Sequence, residues 1–140
     1  MTLKLDFVTI DAHDPKAAAA FWVEALEDYE ILEDPSDADE VDEDDEVVVL
    51  PRSRKGAKLL FIKVPDDKAV KNRLHFDLRP EHAEQDEEIA RLEALGATKV
   101  DIGQGDDVRW TVMADPEGNE FCILRRLTDE EKVKYADWAW

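Results

Sequence analysis

The chain has 140 residues, of which 44% are hydrophobic and 39% charged, and its formal net charge at pH 7 is -18. This length and apolar content suffice for one domain with a hydrophobic core and argue against intrinsic disorder. The acidic balance argues against nucleic acid or a membrane surface as partner, because both are bound through basic patches.

The single cysteine, Cys122, excludes an internal disulfide and a zinc site built on several cysteines. The first six residues contain no apolar stretch typical of a signal peptide. No apolar run approaches the length needed to span a bilayer. We therefore expect a cytoplasmic protein.

The first half of the chain predicts one strand, one helix and three further strands. Residues 3–10 alternate loosely and become β-branched, which favours a strand. Asp14 as N-cap and Pro15 at the first helical position predict a helix that runs to Leu26. Three shorter apolar runs then predict strands at residues 29–32, 46–50 and 58–64.

Residues 33–46 form a dense run of Asp and Glu between two of these strands. Because like charges repel one another, such a run is typical of a solvated surface loop. A divalent-cation site is the alternative interpretation, although the run lacks the glycine turn and the regular ligand spacing of a Ca²⁺ loop.

The second half repeats the order of the first. Residues 65–72 predict an ordered linker, and a strand that begins at Arg73 ends before Pro80. A helix is predicted from about Glu81 to Leu95, with Gly96 at its C-cap. Three strands follow, at residues 99–102, 108–114 and 120–125.

Strand, helix and three strands therefore occur twice, and both helices end on the tripeptide Glu-Ala-Leu. The prediction is an α+β domain over residues 1–127, made of two βαβββ modules at about residues 3–64 and 73–126. Residues 128–140 form a separate tail. Thr128 and Glu131 there have the spacing of a capping box, which predicts a short C-terminal helix.

Three strings of residues carry a family resemblance: 11–15 ahead of Phe21 and Trp22, then 71–78, and then 115–122. Together they resemble the vicinal-oxygen-chelate superfamily of glyoxalases, extradiol dioxygenases and bleomycin and fosfomycin resistance proteins, and above all its small glyoxalase-like domain proteins. The resemblance covers roughly residues 3–126. It implies a curved, mostly antiparallel eight-stranded sheet whose concave face holds the site.

In the metal-dependent members, four ligands, typically His and Glu, lie on the first and last strands of each module. The resemblance places these four positions at Phe7, Leu60 or Ile62, His75 and Cys122. A divalent metal needs three or four N, O or S ligands in fixed geometry. We therefore expect no cofactor and no tightly bound metal, with His75, Glu120 and Cys122 as the weak metal-ligand candidates.

His75 and Asp77 lie two residues apart, so both point to the same side of a strand. They are interpreted either as an acid–base pair, with His75 as the candidate catalytic residue, or as polar groups that contact a ligand without catalysis. Cys122 would be a nucleophile if His75 lowered its pKa. A lone cysteine is more often a small buried hydrophobe.

Three aromatic residues and two arginines are the remaining residues for which the sequence suggests a role in the core or in ligand binding. Trp22 fits the apolar stripe of the first helix and is expected in the core. Phe7 is expected to face the cavity and stack on a ligand, and Trp110 to line either the site or the back of the sheet. Arg52 and Arg109 either receive an anion or serve as surface counter-charges.

Two functions follow. The first is binding of a small organic molecule in an aromatic-lined cup between the paired modules, without the metal site. Its ligand-binding residues would be Phe7, His75, Asp77, Trp110 and Cys122. The second is a lyase or isomerase, or a dioxygenase-like enzyme, that uses His75 with an atypical metal or acid–base site. Whether the protein is an enzyme stays open.

We expect a homodimer, because many proteins of this superfamily pair and because Trp138 and Trp140 give the tail apolar area to bury. Such burial is worth about 25 cal/mol per Å². Deletion of residues 128–140 should therefore lower the association constant measured by sedimentation. A monomer in both forms would show that the tail packs on its own chain.

Overall fold

A computed structural model of the chain describes residues 2–32 and 45–136. The chain divides into two compact units, residues 1–67 and 68–140, and each is described by itself. Both units have the order strand, helix, strand, strand, strand, which confirms the predicted α+β class and the two modules. Most of the acidic run and both residues of the Trp138/Trp140 pair lie outside the described residues.

The first unit is a four-stranded sheet with one helix. Its elements are β1 (Phe7–Ala12), α1 (Pro15–Ala25), β2 (Tyr29–Ile31), β3 (Glu46–Pro51) and β4 (Lys58–Lys63). The strand order is β1-β4-β3-β2, with β1 and β4 parallel and the other neighbours antiparallel. β1 begins at Phe7 and not at Leu3, because its partner β4 begins at Lys58, the residue that pairs with Phe7.

α1 begins where the sequence predicts. The Asp14 carboxylate accepts a hydrogen bond from the backbone N–H of Ala17 at 3.0 Å, and Pro15 occupies the first helical position. The helix packs against β2, β3 and β4. Trp22 is only 2% exposed and meets Phe21 edge-on, with ring centroids 5.2 Å apart, so the expected core position of Trp22 is confirmed.

The two faces of this sheet differ in burial. Leu59 and Phe61 point toward the α1 side and are fully buried, whereas Leu60 and Ile62 point to the opposite side and are partly exposed. The register pairs Phe7 with Lys58, which places Phe7 on the same side as Leu60 and Ile62. We call this side the helix-free face of the first unit.

The second unit repeats this topology. Its elements are β5 (Phe76–Leu78), α2 (Gln85–Ala94), β6 (Thr98–Lys99), β7 (Thr111–Ala114), β8 (Glu120–Ile123) and α3 (Asp129–Lys134). The strand order is β5-β8-β7-β6, again with the first and last strands of the module parallel. No helix of the described residues is long and apolar enough to cross a membrane.

Several elements of the second unit are shorter than predicted. α2 begins at Gln85 and not near Glu81, because its capping box is made by Glu84 and Glu87. β6 and β7 are cut short by the connection between them, where Gly103 and Gly105 have φ of +85° and +74°. Such backbone cannot continue an extended ladder.

The predicted capping box of α3 is confirmed. The Thr128 hydroxyl accepts a hydrogen bond from the Glu131 N–H, and the Glu131 carboxylate accepts one from the Thr128 N–H. The same carboxylate binds the Arg125 guanidinium through two hydrogen bonds of 2.8 and 2.6 Å. The bonds from Arg125, and next the backbone bond from Thr128, lower the pKa of Glu131 to about 2.

We expect the Glu131 carboxyl to titrate at about pH 2, well below its ordinary pKa of 4.5. Because its pKa falls on folding, this group stabilises the folded tail above its unfolded pKa and loses that effect as pH falls through about 2. Carbon-detected NMR of the side-chain carboxyl measures the midpoint. Glu130→Gln is the matched control, and a midpoint near 4.5 in wild type would contradict the Arg125 contact.

Candidate functional site

β5 and β8 bring three candidate residues together in the second unit. The parallel register pairs Asp77 with Cys122, and His75 precedes Asp77 by two positions. The ligand atoms of His75, Asp77 and Cys122 all lie within 4.8 Å of one another. His75 Nε2 is 3.4 Å from Asp77 Oδ1. We call these three residues the His75 cluster.

The surroundings of the Cys122 thiol oppose its ionisation. Cys122 is 6% exposed, and burial is the main cause that raises its pKa above the ordinary value. The neighbouring Asp77 carboxylate raises the pKa further, and Lys71 opposes this only in part. The hypothesis of a nucleophilic Cys122 required a lowered pKa, so the surroundings act in the wrong direction for it.

Glu120, the other candidate ligand on β8, is engaged elsewhere. One of its oxygens lies 2.6 Å from Lys68 Nζ, and the other accepts a hydrogen bond from the Asn72 N–H at 3.0 Å. Burial tends to raise the pKa of Glu120, but the bonds from Lys68 and Asn72 outweigh it, so that the pKa is lowered. Glu120 therefore anchors residues 68–72 to β8.

In the first unit, the candidate positions on β1 and β4 are apolar. Phe7, Leu60 and Ile62 share the helix-free face, as expected from strand alternation. The Lys58 ammonium lies 4.1 Å from the centroid of the Phe7 ring and also pairs with the Asp6 carboxylate. This part of the sheet offers an aromatic surface and a cation.

Trp110 lies in a separate cleft of the second unit, with a volume of about 500 Å³. We call it the arginine cleft; it is lined by Arg79, Arg109, Trp110, Leu124, Arg125, Leu127, Glu131 and Tyr135. Trp110 is 42% exposed there and directly precedes β7. Sequence reasoning missed Arg79 and Arg125, and the only signal for the cleft was the adjacent pair Arg109 and Trp110.

The two arginines considered in the sequence have different surroundings. Arg52 Nε lies 3.4 Å from a carboxylate oxygen of Glu30, which is the arrangement of a surface counter-charge. The Arg109 guanidinium has no hydrogen-bond or ion-pair partner within residues 2–32 and 45–136. Only its backbone carbonyl is bound, by the side-chain amide of Gln85.

Comparison with known proteins gives a family and a fold. The profile of the glyoxalase-like domain family matches residues 7–124. A comparison with curated proteins gives no significant match.

Three solved structures illustrate the fold. Fosfomycin resistance protein FosX from Mesorhizobium loti is 17% identical, with a TM-score of 0.62 over 96% of this chain and 99% of that one. A FosX mutant from Listeria monocytogenes, solved with Mn(II) and a dihydroxypropylphosphonic acid, is 17% identical, with a TM-score of 0.64 over 96% and 99%. A glyoxalase/bleomycin resistance protein/dioxygenase family enzyme from Burkholderia phytofirmans is 20% identical, with a TM-score of 0.59 over 86% and 97%. At these identities the likeness shows the shared fold.

We expect Asp77→Asn to lower the pKa of Cys122, because it removes the carboxylate that opposes ionisation of the thiol. Cys122 is the only cysteine, so the cysteine ¹³Cβ chemical shift, followed by NMR against pH, reports this one group. Asp101→Asn, a change of equal charge outside the His75 cluster, is the control. A pKa that stays the same or rises in Asp77→Asn would show that burial alone sets it.

Proposed function

The chain belongs to the glyoxalase-like domain family, and we propose that it binds a small organic molecule without the metal centre of its metal-dependent relatives. The observation that carries this proposal is the side chains at the positions of the metal ligands. In the first unit these are Phe7 and Leu60 or Ile62, which have no lone pairs to donate. Their common face presents a ring and aliphatic groups, a surface suited to an apolar ligand.

The metal-ligand atoms available in the second unit do not replace the ligands that the first unit lacks. They are one imidazole, one carboxylate and one thiol, from His75, Asp77 and Cys122. Hard divalent ions such as Mn²⁺ and Mg²⁺ prefer oxygen and nitrogen ligands, and a thiol must first lose its proton. Burial and Asp77 make that loss harder for Cys122, since both raise its pKa. The donor set therefore does not fit the hard four-ligand centre of the superfamily.

An acid–base enzyme is the second candidate function, and the His75–Asp77 pair favours it. A carboxylate 3.4 Å from an imidazole nitrogen can fix the orientation of the ring. The His75 side chain is 38% exposed, so a ligand can reach it. His75 would then act as the proton donor or acceptor of a lyase or isomerase.

We expect protein that has been exposed to Zn²⁺, Fe²⁺, Ni²⁺ or Mn²⁺ and then desalted to retain less than one ion per chain, measured by mass spectrometry of the elements. Because the protein is highly acidic, weak surface binding has to be subtracted. His75→Ala is the control for this, since metal retained equally by wild type and His75→Ala lies outside the His75 cluster. Stoichiometric metal that His75→Ala loses would overturn the proposal.

We expect Cys122→Glu to raise the affinity for Mn²⁺, because it adds a hard oxygen donor beside His75 and Asp77. Calorimetric titration measures the change. Cys122→Ser, which adds no carboxylate, is the matched control and should leave the affinity near that of wild type. Equal Mn²⁺ affinity in Cys122→Glu and Cys122→Ser would show that the donor set is not what limits binding.

A further inference from the structure

We propose that the arginine cleft of the second unit binds a small organic anion with a flat apolar body, such as an aromatic carboxylate. Arg109 would hold the anion, and Trp110 would stack on the ring. This rests on the proposed function, because it names the chemical class of the ligand. It does not depend on the His75 cluster, none of whose residues line the cleft.

Charge is the first argument. The whole chain has twice as many acidic as basic residues, with 36 Asp and Glu against 18 Lys and Arg. The arginine cleft reverses this balance, since it is lined by three arginines and one carboxylate. That carboxylate, Glu131, is already bound on two sides, by Arg125 and by the Thr128 N–H. The positive charges of Arg79 and Arg109 are thus left uncompensated by the lining of the cleft.

The second argument is the hydrogen bonding of the three guanidinium groups. Arg125 forms a bidentate ion pair with Glu131, and the Arg79 guanidinium donates a hydrogen bond to the backbone carbonyl of Arg125. The Arg109 guanidinium has no such partner in the described part of the chain. A planar guanidinium with free donors matches a carboxylate through two parallel hydrogen bonds. Arg109 is therefore the group to which an incoming anion would bind.

The rest of the lining is apolar and aromatic. It consists of Trp110, Leu124, Leu127 and Tyr135. A volume of about 500 Å³ exceeds what a bare inorganic anion needs and falls within the range of small-molecule sites. A ring that covers the exposed part of Trp110 would remove apolar surface from water, and stacking adds to this. The ligand is thus an anion with an apolar ring.

Two sets of bonds hold the cleft in shape. The Gln85 side-chain amide donates to the backbone carbonyls of Arg109 and of Ile123, at 3.2 and 2.8 Å. It thereby ties the segment before β7 to the end of β8. On the other side, the Arg125–Glu131 pair holds α3, whose C-cap Tyr135 lines the cleft. Walls fixed before binding reduce the entropy lost when the ligand binds.

The test compares naphthoate with naphthamide, its neutral amide, and with acetate, which has the charge without the ring. Isothermal calorimetry measures affinity, and the indole N–H signal of Trp110, identified with Trp110→Phe, reports the place of binding. We expect naphthoate to bind at least about ten-fold more tightly than naphthamide, because a charged hydrogen bond contributes about 1.5 kcal/mol or more. We also expect it to bind more tightly than acetate, because its ring buries apolar surface against Trp110. Equal affinity for naphthoate and naphthamide would overturn the proposal.

Arg109→Gln should weaken naphthoate binding about ten-fold or more, since it removes that charged hydrogen bond. Arg52→Gln makes the same change in net charge in the first unit and is the matched control. Equal losses in the two variants would show a general effect of charge and overturn the assignment of Arg109. Arg79→Gln provides a second cleft variant if Arg109→Gln does not fold, as judged by its thermal unfolding.

Failure of this inference can be told from failure of the proposed function. Stoichiometric metal lost in His75→Ala would overturn the metal-free function, whatever naphthoate does. A neutral organic molecule found on the native protein by mass spectrometry, with no preference for naphthoate, would overturn only the anion site. Naphthoate that shifts the signals of Phe7 and leaves Trp110 unchanged would also overturn it, because binding would then lie on the helix-free face.

Discussion

The parallel pairing of the first and last strands of each module is the constraint on which the rest of the structure depends. β1 lies beside β4 and β5 beside β8, although the paired residues are tens of positions apart in the chain. Parallel neighbours require a long crossover, and here each crossover contains the helix and two antiparallel strands of its module. The pairing therefore determines both the topology of a module and the side chains that meet at the site.

This constraint accounts for the two chemically different faces of the units. In the first unit it sets Phe7 beside Lys58, so that an ammonium lies over an aromatic ring. In the second unit it sets Asp77 beside Cys122, so that a carboxylate raises the pKa of a buried thiol. The same strand topology thus presents an apolar face in the first unit and the His75 cluster in the second.

Ion pairing of the arginine side chains differs between the surface of the first unit and the arginine cleft of the second. An excess of acidic residues keeps surface arginines neutralised, as Glu30 does for Arg52 and Arg54. The arginine cleft departs from this pattern because α3 places Glu131 against Arg125 and leaves Arg109 beside Trp110. Within the described residues, no carboxylate forms an ion pair with the Arg109 guanidinium. The tail helix therefore contributes to the lining of the cleft through Glu131, and its C-cap Tyr135 lines it as well.

Features made by residues close together in the sequence could be predicted from it. The Asp14 cap and the Thr128 and Glu131 capping box depend on contacts within a few residues, and both are as expected. Gly96 ends α2 with a φ of +110°, although the C-cap itself is Leu95, one residue earlier than predicted. The repeated order of elements was also visible, because each module carries its own helix and strand signals. The family resemblance followed from the same local strings.

What depends on distant residues was decided only by the tertiary structure. Glu120 is bound by Lys68, 52 positions away, and so anchors the linker where a ligand role had been considered. Arg79 donates a hydrogen bond to the backbone carbonyl of Arg125, 46 positions away, and the adjacent pair Arg109 and Trp110 did not by itself predict that these arginines share a cleft. Strand ends differ for the same reason, since β1 can begin only where β4 supplies a partner. Local propensity sets which elements form, whereas register and long-range packing set which side chains converge and how their charges are compensated.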